Sequence, residues 1–445
     1  MASTYLTRTF GTATNREKGT ISFWMKTSNS AGGMVGNYTN DTNRAILYWG
    51  GGSIKYYDGE ANVEYNATAR VLRDPNAWYH IVLMINTADG TQADRVRIYI
   101  NGERQSPITG NQAYNQNENS HMFNPTSAFS IGRDTYSTGG QDYFNGAISH
   151  FHYCDGQAYD ASSFGETDTT TGEWKAKTSP SVTYGSQGFF ILKNGNSVTD
   201  QSGNSNNFTV GGGTLTDLKD NPDNVFATLN PLNANIGATI PTLSMGNNRT
   251  SNSIINKMQT QYSTLAPETG KFYCEVKATA GSVFRIGISS YNSNQAQGSS
   301  DTQNRPGQFS EGWGYDKTGT VYKSESSVGS YTAYNTGDII CIALDMTNKK
   351  LYFKRDANAW ENSANPATGS NGIDISSISS GTGMAFGAGL ESGSVGAAYA
   401  DFNFGNGYFG TTAVSSAGTN ASEIGIFEYD VPTGYTALST KGLNE

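Results

Sequence analysis

Charge is scarce in this chain. Asp, Glu, Lys and Arg make up 15% of its 445 residues, and their balance is −9. Nucleic-acid binding needs Lys and Arg dense enough to neutralise phosphates. No such cluster occurs, so no nucleic-acid partner is expected. Long apolar runs are missing too. The longest, Ile81 to Ile85 and Ile339 to Leu344, fall far short of a membrane span, so no membrane insertion is expected. Cysteine is rare: Cys154, Cys274 and Cys341. An odd count without metal-ligand spacing argues against a disulfide framework, and Cys274 and Cys341 lie in apolar runs as buried thiols do. Met1 to Tyr5 contain neither the basic nor the apolar part of a secretory signal, so synthesis in a reducing cytoplasm is expected. The helix formers Ala, Leu, Glu, Lys and Arg are not prominent.

What is present is Gly (53), Tyr (26) and Phe (20), with many short aromatic and β-branched runs cut by Gly and Asn. That pattern predicts β-sheet with frequent turns. The length suits two sandwiches better than one. In the first module, expected over residues 1–158, Gly19 to Thr27 alternates, with Ile21, Phe23 and Met25 on one face. Ala45 to Trp49 and Ser53 to Tyr57 flank a glycine turn. Ala77 to Ile85 becomes continuously apolar, as a strand buried on both faces does. Arg95 to Ile100 alternates and ends at Asn101-Gly102, the strongest short hairpin signal, because a type I′ turn needs φ > 0 at both central residues.

Residues 159–245 change character. Gly, Asn, Ser, Thr and Asp dominate, strands such as Gly188 to Leu192 are short, and an ordered connector is expected. The second module, expected over 246–410, contains Val283 to Ile288, with Phe284, Ile286 and Ile288 on one face. A hairpin-like stretch at Gly312 to Tyr322 follows, then the buried strand Asp338 to Asp345 and its return Lys350 to Lys354. Residues 411–445 form a C-terminal extension. The expected fold is all-β: two tandem antiparallel β-sandwiches of jelly-roll type.

Three resemblances follow from these residues. The order Phe23-Trp24, Trp78-Tyr79-His80-Ile81, Ile98 to Gly102, Ile131-Gly132 and Phe144 to Ile148 resembles the laminin-G/concanavalin-A-like lectin superfamily. Phe284 to Ile288, Gly337 to Asp345, Lys349 to Phe353 and Phe402 to Gly405 resemble the SPRY (B30.2-like) domain in the same order. The whole arrangement, with Asp220 to Pro231 and Val431 to Leu443, resembles structural proteins of marine tailed bacteriophages. It departs from that pattern at Asn221 and Val225.

Catalytic signals are weak. A sandwich glucanase carries two carboxylates on one strand, both reaching the scissile bond. No such run occurs, and the pairs Glu166/Asp168 and Glu428/Asp430 read as solvated charge. No nucleophile elbow or P-loop is present. His150 and His152 share a strand face, but no Cys, Asp or Glu cluster accompanies them. No cofactor is expected. Calcium is left open, because Asp41, Asp134 and Asp142 lie in loops of the kind that hold it in lectin-like sandwiches. Sugar binding needs aromatic faces beside hydrogen-bonding groups. Trp49, Tyr56 and Tyr57 flank a glycine turn near Asp58 and Asn43, and these five are the candidate ligand residues. Trp313 and Tyr315 suggest the same idea in the second module, where a core role is the stronger reading.

The resemblances imply a virion surface protein, a head or tail fibre or a capsid decoration, made in the host cytoplasm and adhering to glycans. Its partners would be other virion proteins and cell-surface glycans, in a homo-oligomer for which a trimer is expected. The alternatives are a stand-alone glycan- or peptide-binding protein and, behind it, a polysaccharide depolymerase.

Overall fold

The computed structural model describes residues 4–27, 31–67, 70–72, 74, 77–106, 108–109, 113–123, 127–134, 142–169, 172–193, 197–232, 241–253, 258–280, 283–290, 305–391 and 397–444. Among them are strands and short 3-10 turns but no α-helix, as the all-β expectation requires. No helix is long and apolar enough to cross a membrane among these residues. The chain divides into two compact units, Met1–Asp217 and Leu218–Glu445.

The first unit is a sandwich of two antiparallel sheets. One runs Ile108–Thr109, Val63–Ala67, Ser53–Asp58, Arg44–Gly50, Ala31–Tyr38, Ala128–Ile131, Tyr5–Thr9 and Thr209–Gly212 from edge to edge. The other runs Phe189–Ile191, Gly146–Asp155, Lys18–Thr27, Tyr79–Asn86, Val96–Ile100 and Glu103–Arg104. Ile21, Phe23, Met25, Val96, Ile98 and Ile100 all reach the core between the sheets, as their alternation predicts. Each such side chain stabilises the fold by about 1.5–3 kcal/mol. Both glycine turns are of the expected kind: φ is positive at Gly51 and Gly52, and at Asn101 and Gly102.

The strand Tyr79–Asn86 is buried on both faces. Ile81, Leu83 and Ile85 face the core. Val82 and Met84 point the other way, against Ala161, Phe164 and Trp174. The latter three belong to a cover over the outer face of the six-stranded sheet, built from the turn at Ala161–Ser163 and the hairpin of Gly165–Thr167 with Trp174–Ala176. The residues expected as a connector, 159–245, contribute to both units. Phe189–Ile191 and Thr209–Gly212 extend the first unit's sheets, while Thr242–Ser244 pairs within the second.

The second unit is also two antiparallel sheets around one core. The larger contains Thr242–Ser244, Arg249–Asn252, Ala398–Asn403, Lys271–Ala280, Ile339–Asp345, Lys350–Arg355 and Ile373–Asp374, with Thr436–Ala437 joining Lys271–Ala280 in parallel. The smaller contains Met258–Tyr262, Met384–Glu391, Val283–Ser290, Gly312–Asp316, Thr320–Lys323 and Ser326–Ser330. Ile286, Ile288, Trp313 and Tyr315 lie in the core, while the side chain of Phe284 lies outside the described residues. Cys274 and Cys341 are both buried, on opposite faces of their sheet: Cys274 faces the core, and Cys341 faces Phe427, Val431 and Tyr435.

The C-terminal residues therefore form a second layer on the larger sheet, and Glu275 anchors it. Its carboxylate accepts from the backbone N–H of Glu428 and Tyr429, each at 2.9 Å, and from Asn403 Nδ2 and Tyr273 Oη at 3.1 Å. Burial outweighs these bonds and pushes its carboxyl up to about 7. Alongside, Ala227 N–H donates to Leu438 O at 2.8 Å and Thr440 N–H to Val225 O at 2.9 Å.

Candidate functional site

The five candidate ligand residues do not share one surface. In Arg44–Gly50 and Ser53–Asp58, Trp49 and Tyr56 face inward and are part of the core. Asp58 is fully buried beside them. Its Oδ2 accepts from Tyr114 Oη at 2.5 Å, His121 N–H at 2.7 Å, and Tyr56 Oη and Ser120 Oγ at 3.1 Å. Burial raises its carboxyl above the usual range despite these donors. That knot ties a strand to the loop 114–121, and its oxygen acceptors are already engaged. Asn43 sits in the turn after Tyr38, where Thr39 N–H donates to its carbonyl at 2.9 Å. Tyr57 alone of the strand residues points outward, and the Arg44 guanidinium lies 5.3 Å from its ring centroid.

That outward direction leads to a different set of neighbours. Tyr48 lies opposite Lys55 in register, on the same face as Tyr57. The Lys55 ammonium is 5.8 Å from the Tyr48 ring centroid, and the Arg133 guanidinium is 3.5 Å from that of Tyr5. Tyr5 and Tyr143 lie 6.3 Å apart. Tyr5, Tyr38, Tyr48 and Tyr57 are all partly exposed. Glu64 and Asn66 stand beside them, with Asn66 Nδ2 donating to Glu64 Oε1 at 3.2 Å. The outer face of the eight-stranded sheet is thus a band of tyrosine rings interleaved with cations, a carboxylate and an amide. Such a face offers flat apolar patches and hydrogen-bonding groups side by side. The sequence does hold a signal for it. Lys55 marks the solvent side of its strand, so Tyr57 and the residue opposite Lys55 must share that side. The opposite residue, Tyr48, is known only once the register is.

Asp134 and Asp142 adjoin this face. Asp142 N–H donates to Asp134 Oδ1 at 3.0 Å, and burial raises the Asp134 carboxyl to about 6. Asp41 is occupied by the Tyr38 hydroxyl at 2.9 Å. Calcium needs six to eight oxygen ligands including several ionised carboxylates. Among the described residues no group of three or more His, Cys, Asp or Glu side chains is placed to hold a metal. Among the described residues these three aspartates are not gathered into such a group.

Three of the four histidines meet on the outer face of the six-stranded sheet. His80, His150 and His152 are all buried there. Ser22 Oγ lies 2.8 Å from His80 Nε2, a separation that suits a nucleophile and its base. The tautomer opposes that role. Trp174 Nε1–H can only donate, and it donates to His80 Nδ1 at 3.0 Å. Neutral His80 therefore carries its proton on Nε2 and donates to Ser22, whereas a base must accept the serine's proton there. Burial and His150 lower the imidazole to about 3. The carboxylate pairs have structural partners as well. Glu166 and Asp168 face Lys175. Glu428 accepts from Ser415 N–H, and Asp430 from Thr419 N–H, each at 2.7 Å.

The concanavalin A-like lectin/glucanases superfamily profile matches residues 2–157. This portion has that superfamily's fold of packed antiparallel sheets, consistent with a jelly-roll sandwich. Among the curated proteins no sequence matches the chain. Among solved structures, the SPRY domain of human HERC1 is similar at 12% identity and a TM-score of 0.30, covering 39% of this chain and 96% of that one. Stonustoxin is similar at 18% identity and a TM-score of 0.28, covering 40% of this chain and 27% of that one.

Proposed function

We propose that this chain binds glycans on the outer face of the first unit's eight-stranded sheet, and that it does so on a bacteriophage virion as a fibre or capsid decoration. The observation that carries the binding reading is the tyrosine band: Tyr48 with Lys55 over its ring and Tyr57 with Arg44 over its ring. Sugar rings stack their C–H faces on such aromatics, and their hydroxyls bond the flanking Lys, Arg, Glu and Asn groups. The superfamily description names both lectins and glucanases. The engaged carboxylates and the tautomer of His80 favour binding over hydrolysis.

The virion setting draws on the two passages that resemble phage structural proteins. Asp220 to Pro231 and Val431 to Leu443 lie side by side in the second unit and share backbone hydrogen bonds. Homo-oligomeric assembly, with a trimer expected, goes with that setting.

Glycan arrays followed by calorimetry test the binding. Tyr48→Ala and Tyr57→Ala should each weaken it by about tenfold, which corresponds to about 1.4 kcal/mol. Tyr56→Phe, inside the sandwich, should leave affinity unchanged. Variants that bind as the parent does, or reducing ends released from the bound polysaccharide, would refute the reading. Mass spectrometry of purified particles tests the setting, and absence of the chain from virions would rule it out.

A further inference from the structure

The cover on the six-stranded sheet is ordered largely by itself. Phe164 N–H donates to Ala161 O at 3.1 Å, Asp168 N–H to Glu173 O at 2.7 Å and Lys177 N–H to Phe164 O at 2.9 Å. Its hold on the sheet includes two contacts to imidazoles. The Trp174 indole donates to His80 Nδ1 at 3.0 Å with its ring stacked 6.0 Å away. The Phe164 ring sits 5.1 Å from His152. Below the cover, His80 also stacks on Trp24 at 5.0 Å and His152 on Phe190 at 3.9 Å.

We propose that this arrangement is an acid-sensitive latch: acid releases the cover, built from the turn at Ala161–Ser163 and the hairpin of Gly165–Thr167 with Trp174–Ala176, while the sandwich beneath it stays folded. The closed form has no room for a proton on His80. Both ring nitrogens are committed, Nδ1 as acceptor from Trp174 and Nε2 as donor to Ser22. A proton on Nδ1 would face the indole N–H, donor against donor.

Among the described residues, the groups that act directly on His80 and His152 are imidazoles and Lys193, with no carboxylate among them. On the neighbouring strands His80 faces Lys26, His150 and Tyr99, all buried on the same face. His152 lies near His150, Cys154, Tyr184 and Lys193. Of the cover's carboxylates, Glu166 and Asp168 are turned to Lys175, Asp160 accepts from Ser162 N–H at 3.1 Å, and Glu173 precedes Trp174 in the hairpin. Burial and the neighbouring imidazoles and Lys193 accordingly hold His80 at about 3 and His152 well below the ordinary histidine range.

Opening the cover returns a histidine to water, where it titrates near its ordinary value of about 6.5. The open form then binds protons that the closed form refuses. The sign follows from linkage: the latch is fully closed above about pH 6.5 and loses hold as pH falls below it. Each released histidine shifts the opening equilibrium by about tenfold per pH unit. His80 alone gives tenfold, and His80 with His152 up to a hundredfold.

Hydrogen exchange of the full chain between pH 7 and pH 5, corrected for intrinsic rates, tests this. Protection of amides in Gly165–Thr167 and Trp174–Ala176 should fall by about 25-fold or more from pH 7 to pH 5, with the slope approaching about tenfold per unit at the acid end, while Val96–Ile100 keeps its protection. In His80→Gln the side-chain amide still accepts from Trp174 and donates to Ser22 but does not titrate, so the dependence should shrink by tenfold per unit. Cover protection independent of pH, or a His80→Gln variant with the parent's slope, overturns the proposal. NMR titration of the parent covers the case in which the variant does not fold. A His80 imidazole that titrates near 6.5 while the cover amides keep their protection overturns the latch, and one that takes up its proton only as that protection is lost supports it.

Discussion

Glu275 shows how a single buried carboxylate joins two distant parts of the chain. Four donors and no cation reach it, so an amide in its place must turn an NH₂ group towards one of them. Glu275→Gln should therefore cost about 1–3 kcal/mol at pH 8, measured by urea unfolding. The pH dependence has a definite sign. Its folded value, about 7, lies above the ordinary 4.5. The native state thus binds the extra proton between these values, and the stability it contributes is present below about 4.5 and lost as pH rises through about 7. The variant should lack that decline. Nothing in the local sequence Tyr273-Cys-Glu275 announces this role, because the donors at 428 and 429 arrive from more than a hundred residues away. The turns were legible by contrast. Asn101-Gly102 and Gly51-Gly52 state their conformation in their own chemistry. Ser324 and Glu325 also hold positive φ, yet neither residue type signals it. Glu325 is held there by Arg285 and Arg305, at 3.0 Å each.

At the scale of elements, the apolar run Ala77 to Ile85 correctly implied a strand buried on both faces. It could not say what lay over the second face. The cover comes from a Gly- and Thr-rich stretch whose large apolar anchors, Phe164 and Trp174, are isolated in sequence. Gly102 is part of the answer. A Cβ there would lie 2.6 Å from Trp174 Cε3, so the hairpin glycine also makes room for the indole. Gly102→Ala should cost about 1–2 kcal/mol in backbone strain alone. It should also loosen the cover, seen as faster proteolytic cleavage between residues 160 and 177 with the sheet strands still protected. The tyrosine band was half legible for a related reason. Alternation separates Tyr56 from Tyr57, but which of the two faces water depends on the partner sheet, and aromatic residues occupy both sides of these strands.

At the scale of the molecule, the all-β class and the two sandwiches were readable from composition and alternation, whereas the pieces that complete each sandwich were not. Phe189, Ile191 and Phe208 belong to the first unit's core although they lie in the Gly- and Asn-rich stretch. A chain ending at residue 217 should melt cooperatively by circular dichroism. One ending at 158 should aggregate or lack a cooperative transition, because it loses those side chains and bares Val82 and Met84. The placement of Thr436–Ala437 beside Lys271–Ala280 has a consequence for how the protein is made. During synthesis the first unit has all its strands once residue 212 has emerged, and can fold while the remainder is being translated. The second unit cannot do this in stages. Its central strand waits for a partner more than 150 residues downstream, and until then Tyr273, Cys341 and Glu275 face water or a chaperone. Closure over so long a loop is slow, so the interval before the last residues arrive is when the nascent chain is most exposed to misassembly.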